Sequence, residues 1–176
     1  GNNDYGESMA VDGSGNIYIT GISEATWGTP VNAYTGLDDA FVAKLNSSGV
    51  LQWNTFLGSA LHDHGMALTI DGSGNIYLSG WSGATWGTPV NAFAGGFDAF
   101  AVKLNNSGAI QWNTFMGSGN SDAGQAINVD DSGNVYVTGN SDLTWGTPVV
   151  AHAGGYDAFA VKLNNSGVLL WSTFMG

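Results

Sequence analysis

The sequence predicts an all-β protein, a β-propeller built from three four-stranded antiparallel blades of 59 residues. One observation is that the chain repeats itself every 59 residues without a gap, and a fixed period of this size indicates a repeat architecture. Another is that each copy holds four short runs rich in β-branched and aromatic residues, separated by Gly, Asn, Asp and Ser. A third is that no run keeps apolar residues at helical spacing. Because propellers usually have about four to eight blades, we expect an incomplete ring or part of a larger assembly.

Identical residues in each copy fix the phase of the repeat. The phase divides the chain into a first blade at 1–58, a second at 59–117 and a third at 118–176, together one propeller segment. Three sets of residues recur at a spacing of 59: Trp27, Trp86 and Trp145; Trp53, Trp112 and Trp171; and Lys44, Lys103 and Lys162.

The first half of each copy predicts a hairpin. Residues 8–11 are small or aliphatic and form the first strand. Residues 12–16, Asp-Gly-Ser-Gly-Asn, have the composition of a turn. Residues 17–20, Ile-Tyr-Ile-Thr, have strong β propensity and form the second strand.

The second half of each copy predicts another hairpin, whose first strand must be covered on both faces. This third strand spans 40–45 and the fourth spans 50–56, with the turn Asn-Ser-Ser-Gly between them. The third strand carries Phe41 on one face and Val42 on the other. A strand that is apolar on both faces needs neighbours on both sides, as in blades stacked around an axis. A solenoid is the alternative, although its usual repeats are shorter.

Three stacked blades leave a hydrophobic face at each end. Such faces promote association. We therefore expect self-association or pairing with further repeats of the same parent chain, as a six-bladed pair, a filament or a segment of a longer propeller.

The charge balance excludes two classes of partner. The chain has three lysines, no arginine and 14 acidic residues, for a net charge of −11. Three cations cannot neutralise a run of phosphates, so we expect no nucleic-acid partner. The same deficit argues against anionic membranes, and no window of about 18 apolar residues predicts membrane insertion. The Gly-, Asn-, Ser- and Thr-rich composition favours an extracellular or cell-surface location.

The long loops between strands two and three are the candidate ligand sites. They span 23–38, 82–97 and 141–156, and each contains Thr-Trp-Gly-Thr-Pro-Val. An exposed Trp offers a stacking platform for a sugar, and three such sites would give multivalent, lectin-like carbohydrate binding. The alternative is that each Trp packs on its own blade. The candidate ligand-binding residues are Trp27, Trp86, Trp145, Asn32, Asn91, Asp39, Asp98 and Asp157.

Other polar residues predict architecture, and we expect no catalysis, cofactor or metal. The acids recur with the repeat, whereas a catalytic pair normally occurs once. The Asp12 turn resembles a calcium loop but lacks the several carboxylates such a loop needs. His62-Asp63-His64 has metal-ligand residue types in one copy only, and a solvated loop is the interpretation we favour. His152 occupies the position of Tyr34 and should fill a packing site.

Three motifs in each copy resemble the bacterial seven-bladed β-propeller repeat, SBBP. They are Asp-x-Ser-Gly-Asn-(Ile/Val)-Tyr-(Ile/Leu/Val)-(Thr/Ser)-Gly at 12–21, 71–80 and 130–139, Asp-Ala-Phe-x-x-Lys-Leu-Asn at 39–46, 98–105 and 157–164, and Thr-Phe-(Leu/Met)-Gly at 55–58, 114–117 and 173–176. The resemblance implies a propeller in a secreted or surface-exposed bacterial protein. It implies no catalytic activity and no particular ligand. The Trp-Gly-Thr-Pro-Val loop departs from the usual pattern, so a ligand at these Trp residues is not implied by the family.

Overall fold

The fold consists of three four-stranded antiparallel sheets, which are consistent with three blades of an unclosed propeller. The computed structural model describes residues 2–176, in which there are twelve strands and no helix. Hence no helix in this range is available to cross a membrane. Sheet 1 is β1–β4, sheet 2 is β5–β8 and sheet 3 is β9–β12, each in sequential order. The strands are β1 (Asp4–Val11), β2 (Ile17–Ser23), β3 (Asp39–Leu45), β4 (Leu51–Leu57), β5 (Asp63–Ile70), β6 (Ile76–Ser82), β7 (Asp98–Leu104), β8 (Ile110–Met116), β9 (Asp122–Val129), β10 (Val135–Ser141), β11 (Asp157–Leu163) and β12 (Leu169–Met175).

The first strand of each sheet is longer than the sequence predicts. In sheet 1 it begins at Asp4, where the prediction began at residue 8, and it pairs with β2 across a bulge between Gly6 and Ser8. The approach is close, because a methyl group on Gly21 would lie 1.8 Å from the carbonyl oxygen of Tyr5. The extra pairing therefore depends on a glycine in β2, which propensity rules count against a strand.

The turn predicted at residues 12–16 is present, and the Asp12 side chain holds it. The Asp12 carboxylate accepts hydrogen bonds from the backbone N–H of Ser14 and Asn16, from the Asn16 amide and from the Tyr18 hydroxyl. The Asn16 side chain is the main cause that lowers the pKa of Asp12 to about 2. These contacts occupy the carboxylate, so the turn needs no ion.

The sheets stack face to face, and the core lies between them. β5 packs against β1, β2 and β3, and β9 packs against β5, β6 and β7. Val42 on one face of β3 is 0% exposed and Phe41 on the other is 5% exposed. The prediction that this strand is buried on both faces is confirmed.

The Trp residues of the fourth strands link neighbouring sheets. Trp53 donates its indole N–H to the carbonyl of Asn106 at 3.1 Å, and Trp112 does the same to Asn165 at 3.0 Å. The turn of the next sheet lies directly over each ring, since a methyl group on Gly108 would lie 2.9 Å from the Trp53 ring. In the sequence, Trp53 and Trp112 served only to fix the phase of the repeat, and the structure shows that they join one blade to the next.

The stack is open at both ends. The first flank is the face of sheet 1 that points away from sheet 2, and the last flank is the face of sheet 3 that points away from sheet 2. Met9 on the first flank is 58% exposed, whereas its equivalent Leu68 inside the stack is 7% exposed. Met175 at the last flank is 52% exposed, whereas its equivalent Met116 is 2% exposed. The ring is therefore not closed, as the sequence predicts.

Candidate functional site

The Trp residues of the long loops lie against their own sheets. Trp86 and Trp145 are each 7% exposed. The Trp86 ring meets Phe100 and Phe115 edge to face, with centroids 5.4 and 5.9 Å apart. Trp145 also donates its indole N–H to the Ser141 hydroxyl at 3.2 Å. The packing alternative thus describes these residues, and the exposed stacking platform required for a sugar is absent at both.

Trp27 is the most accessible member of this set, yet it has the same partners. Its ring lies 5.4 Å from Phe41 and 5.7 Å from Phe56, both edge to face. Its indole N–H donates to the Ser23 hydroxyl at 3.1 Å. The ring is half-buried, so it does not project as a free platform either.

The candidate Asn residues attach the loop to the last strand of the sheet. The Asn32 amide donates to the Thr55 hydroxyl at 2.9 Å, and the Asn91 backbone N–H donates to Thr114 at 3.2 Å. Two backbone bonds, Val31 N–H to Asn54 and Phe56 N–H to Asn32, complete the attachment. The loop therefore lies along the outer edge of β4. The third copy has Val150 at this position and lacks the amide.

The candidate Asp residues at the start of the third strands are buried. Asp39 and Asp98 are 0% exposed and Asp157 is 2% exposed. Oδ2 of Asp39 accepts from the Thr35 backbone N–H at 2.8 Å, and Oδ2 of Asp98 accepts from that of Ala94 at 2.6 Å. Burial raises the pKa of Asp39 to about 6 and that of Asp98 to about 7. These carboxyl groups are inaccessible to a sugar.

Asp39 and Asp98 each lie near a carboxylate from the next sheet. Asp63 begins β5 and accepts hydrogen bonds from the Ser59 backbone N–H at 2.6 Å and from the Ser82 hydroxyl. Its charge is one of the causes that raise the pKa of Asp39. Asp98 and Asp122 form the same pair between sheets 2 and 3. Sequence reasoning assigned the recurring acids to architecture and missed the pairing of acids from neighbouring sheets.

The two histidines near Asp63 contact the preceding sheet. His62 Nδ1 lies 2.8 Å from Asp38 Oδ2, and His64 Nε2 lies 3.4 Å from Asp38 Oδ1. His64 lies within β5 and its ring is 3.9 Å from that of Trp81. The solvated-loop prediction is thus wrong for His64. Within residues 2–176, no group of three or more His, Cys, Asp or Glu is arranged to hold a metal ion.

An aromatic groove between sheets 2 and 3 was not predicted. It has a volume of about 250 Å³, and Trp81, Phe97 and Tyr156 contribute its rings. Phe97 is 41% exposed and Tyr156 is 64% exposed. Both occupy the position of Asp38 in the first copy. The change from an acid to an aromatic residue at this position was the sequence signal that could have predicted the groove.

The two open flanks expose apolar side chains whose equivalents are covered inside the stack. The last flank has a groove of about 280 Å³ lined by Ala126, Tyr136, Ala160 and Trp171 among others. Trp171 is 37% exposed, and no carbonyl in the described part of the chain takes the place that Asn106 has over Trp53. The flanks are therefore the candidate interaction site.

Comparison with known families agrees with this architecture. The family model of the SBBP β-propeller repeat matches residues 1–24 and 111–142. Both stretches include the first two strands of a sheet, β1–β2 and β9–β10. The resemblance read from the sequence is confirmed on these residues. No curated protein gives a significant match.

Proposed function

We propose that this chain, a carrier of SBBP β-propeller repeats, is a non-catalytic scaffold of the extracellular space or cell surface that assembles by docking its last flank onto the first flank of a second copy. The observation that carries the proposal is that each flank repeats a surface that is buried inside the stack. The extracellular or cell-surface location is supported by the composition of the chain and by its resemblance to the SBBP repeat. The recurrence of every buried acid with the repeat supports a non-catalytic role.

We call the contacts between sheets 1 and 2 and those between sheets 2 and 3 the internal junctions. Docking of a second copy would reproduce the contacts of these junctions. Asn106 and Asn165, which accept from Trp53 and Trp112, are equivalent to Ser47 on the first flank. A second copy would therefore place its Ser47 carbonyl over the Trp171 indole N–H, with Gly49 against the ring. It would also cover Met175 with the residues around Met9, as sheet 2 covers sheet 1.

Apolar burial supplies the driving force for docking. Covering Met9 and Met175 removes two side chains that are more than half exposed, and each is worth about 1.5–3 kcal/mol when fully buried. The interface is heterologous, so it closes a ring or extends a filament. Two copies would supply six blades, within the range of closed propellers.

Two single-flank variants test the proposal. Met175→Glu blocks the last flank and Met9→Glu blocks the first. We expect sedimentation velocity to show assemblies for the wild type, single chains for each variant alone, and a one-to-one dimer when the two variants are mixed. Val149→Glu is the matched control, because Val149 is 76% exposed on a loop away from both flanks. A wild type that stays a single chain at all concentrations would overturn the proposal.

Carbohydrate binding is the second candidate, and one observation favours it. The groove between sheets 2 and 3 exposes Phe97 and Tyr156 beside Trp81, which is the stacking surface that the loop Trp residues do not provide. Glycan binding that is lost in Tyr156→Ala but kept in Trp27→Phe would support it. Equal binding by both variants would argue against it.

A further inference from the structure

Each internal junction holds a buried carboxylate oxygen that has no hydrogen-bond donor. Asp39 and Asp98 are 0% exposed, and their Oδ2 atoms accept backbone hydrogen bonds. Their Oδ1 atoms have no partner among the described residues. Leaving a buried polar atom unpaired is costly, and the cost is larger for a charged one. Because the unpaired oxygen recurs at two equivalent positions, it is a property of how neighbouring sheets pack at each junction.

A second carboxylate borders the same space. A methyl group on Gly58 would lie 2.7 Å from Asp39 Oδ1 and 2.8 Å from Asp63 Oδ2. At the next junction, a methyl group on Gly117 would lie 2.7 Å from Asp98 Oδ1 and 2.9 Å from Asp122 Oδ2. At each junction, two acidic oxygens from neighbouring sheets therefore converge beside a glycine.

Backbone carbonyls add to the acceptors at the first junction. A methyl group on Gly36 would lie 2.6 Å from the carbonyl oxygens of both Ser59 and Leu61, and 2.8 Å from Asp39 Oδ1. The Thr35 hydroxyl, which contacts the Ser59 carbonyl at 3.0 Å, is a nearby donor, and it is Ala94 in the second copy. The lysines do not serve the site, since each lies about 5 Å over a Tyr ring of its own sheet. Acceptors thus converge on Asp39 Oδ1. The donors near this carboxylate are the N–H groups of Thr35 and Gly36 and the Thr35 hydroxyl, and Oδ1 itself is left without a hydrogen bond.

We propose that each internal junction binds one divalent cation of the calcium type, held by Asp39 and Asp63 at the first and by Asp98 and Asp122 at the second. Calcium takes carboxylate, carbonyl and water oxygens at about 2.3–2.6 Å and tolerates irregular geometry. Main-chain oxygens and water would supply the ligands beyond the two carboxylates. The Ser59 N–H and the Ser82 hydroxyl donate to the Asp63 carboxylate and fix its orientation.

The cation would join two sheets, because its ligands come from both. It would also relieve the repulsion between paired carboxylates in a chain of net charge −11. A third, half-built site exists at the last flank, where a methyl group on Gly176 would lie 2.1 Å from Asp157 Oδ1. Its missing carboxylate is the equivalent of Asp63, which is Asp4 of a docked second copy. This third site rests on the proposed function, and the two internal sites do not.

The test uses the full chain in a form that does not assemble. Met175→Glu protein is treated with EDTA, dialysed and titrated with CaCl2 by calorimetry at pH 7.5. We expect two calcium ions per chain and a rise in melting temperature on calcium addition. The assembly variants and this titration give separate readouts, so failure of one is distinguishable from failure of the other.

Asp39→Asn with Asp98→Asn removes the proposed ligands while keeping their shape. We expect at least a tenfold loss of calcium affinity. Without calcium, the double variant should melt at the same temperature as the parent or higher, because an amide N–H can donate to the surrounding oxygens. Glu7→Gln with Asp131→Asn is the matched control, since it removes the same charge from exposed positions and should leave calcium binding unchanged.

Three results would overturn the proposal. One is no heat and no change in melting temperature up to about 10 mM CaCl2, a range that covers even weak extracellular calcium sites. Another is unchanged calcium affinity in Asp39→Asn with Asp98→Asn. A third is a protein whose melting temperature rises on acidification in EDTA but does not change on addition of CaCl2. That result would show that the paired carboxylates share a proton and do not bind a cation.

Discussion

Individual buried residues differ between copies in how well their polar atoms are paired. Trp86 and Trp145 have the same exposure, 7%, and equivalent Phe neighbours. The Trp145 N–H donates to Ser141, whereas the Trp86 N–H has no partner in the described chain. Otherwise equivalent copies thus provide an internal comparison of a single hydrogen bond.

Replacing each of these Trp residues by Phe should separate the hydrogen bond from the ring. We expect Trp145→Phe to cost about 1 kcal/mol more unfolding free energy than Trp86→Phe, because only Trp145 loses a hydrogen bond. Urea denaturation of the two variants measures the difference. Equal losses would show that the Ser141 contact contributes nothing net.

The buried acids predict an unusual pH dependence in calcium-free protein. The pKa of Asp39 is raised to about 6 and that of Asp98 to about 7, chiefly by burial, from 3.8 in the unfolded chain. The folded state therefore binds more protons between about pH 4 and pH 7, and stability falls as pH rises through that window. The pKa of Asp130, like that of Asp12, is lowered to about 2, so these groups lose their stabilising effect as pH falls below about 4.

Calorimetric melting from pH 2 to pH 8 in EDTA checks this profile. We expect the highest melting temperature near pH 4 to 5, between the two windows. Asp39→Asn with Asp98→Asn should flatten the decline above pH 4 and leave the acid side unchanged. An undiminished decline in that variant would place its cause in other groups.

Among the strands, the second of each sheet depends on a glycine. A methyl group on Gly80 would lie 1.8 Å from the His64 carbonyl oxygen and 3.0 Å from the Phe100 ring. The first strand can lengthen beyond its predicted start only because this side chain is absent.

Gly80→Ala should therefore break the pairing of β5 with β6. We expect a loss of about 3 kcal/mol in unfolding free energy, since the clash is with backbone that cannot rotate away. Gly13→Ala is the control, with nothing within 4 Å of the added methyl group, and should change stability by less than about 0.5 kcal/mol. A small effect of Gly80→Ala would show that the bulge rearranges freely.

The strands were predictable and their cross-sheet contacts were not. Period and alternation located β3 because Phe41 and Val42 lie within one short run. The partners of Trp53 and Asp39 lie 53 and 24 residues away, at Asn106 and Asp63. Nothing local to either residue specifies those distances, which follow from how one sheet stacks on the next.

Across the whole molecule, stability should depend on the number of neighbours each sheet has. Sheet 2 is covered on both faces, and its strands β6 and β7 are almost wholly buried. Sheet 3 is covered on one face, and its equivalent strands have exposed positions. In stacked repeats, stability is approximately a sum of unit and interface terms.

Native-state hydrogen exchange tests this gradient. In the single-chain variant Met175→Glu, we expect amides of β6 and β7 to exchange more slowly than those of β10 and β11. In wild-type assemblies the difference should shrink, because the last flank gains a neighbour. Uniform exchange in the single chain would indicate that the three sheets unfold as one unit.

The attachment of the long loop to β4 restricts the direction of growth. Its backbone bonds through Val31 and Asn32 occupy hydrogen-bonding groups that a bare outer strand would offer to any extended peptide. A strand of another protein therefore cannot pair with the outer edge of the sheet, whereas the two flanks of the stack remain available for docking. Assembly can therefore proceed by stacking sheets along one axis, without the edge-to-edge strand pairing by which exposed β-strands form amyloid.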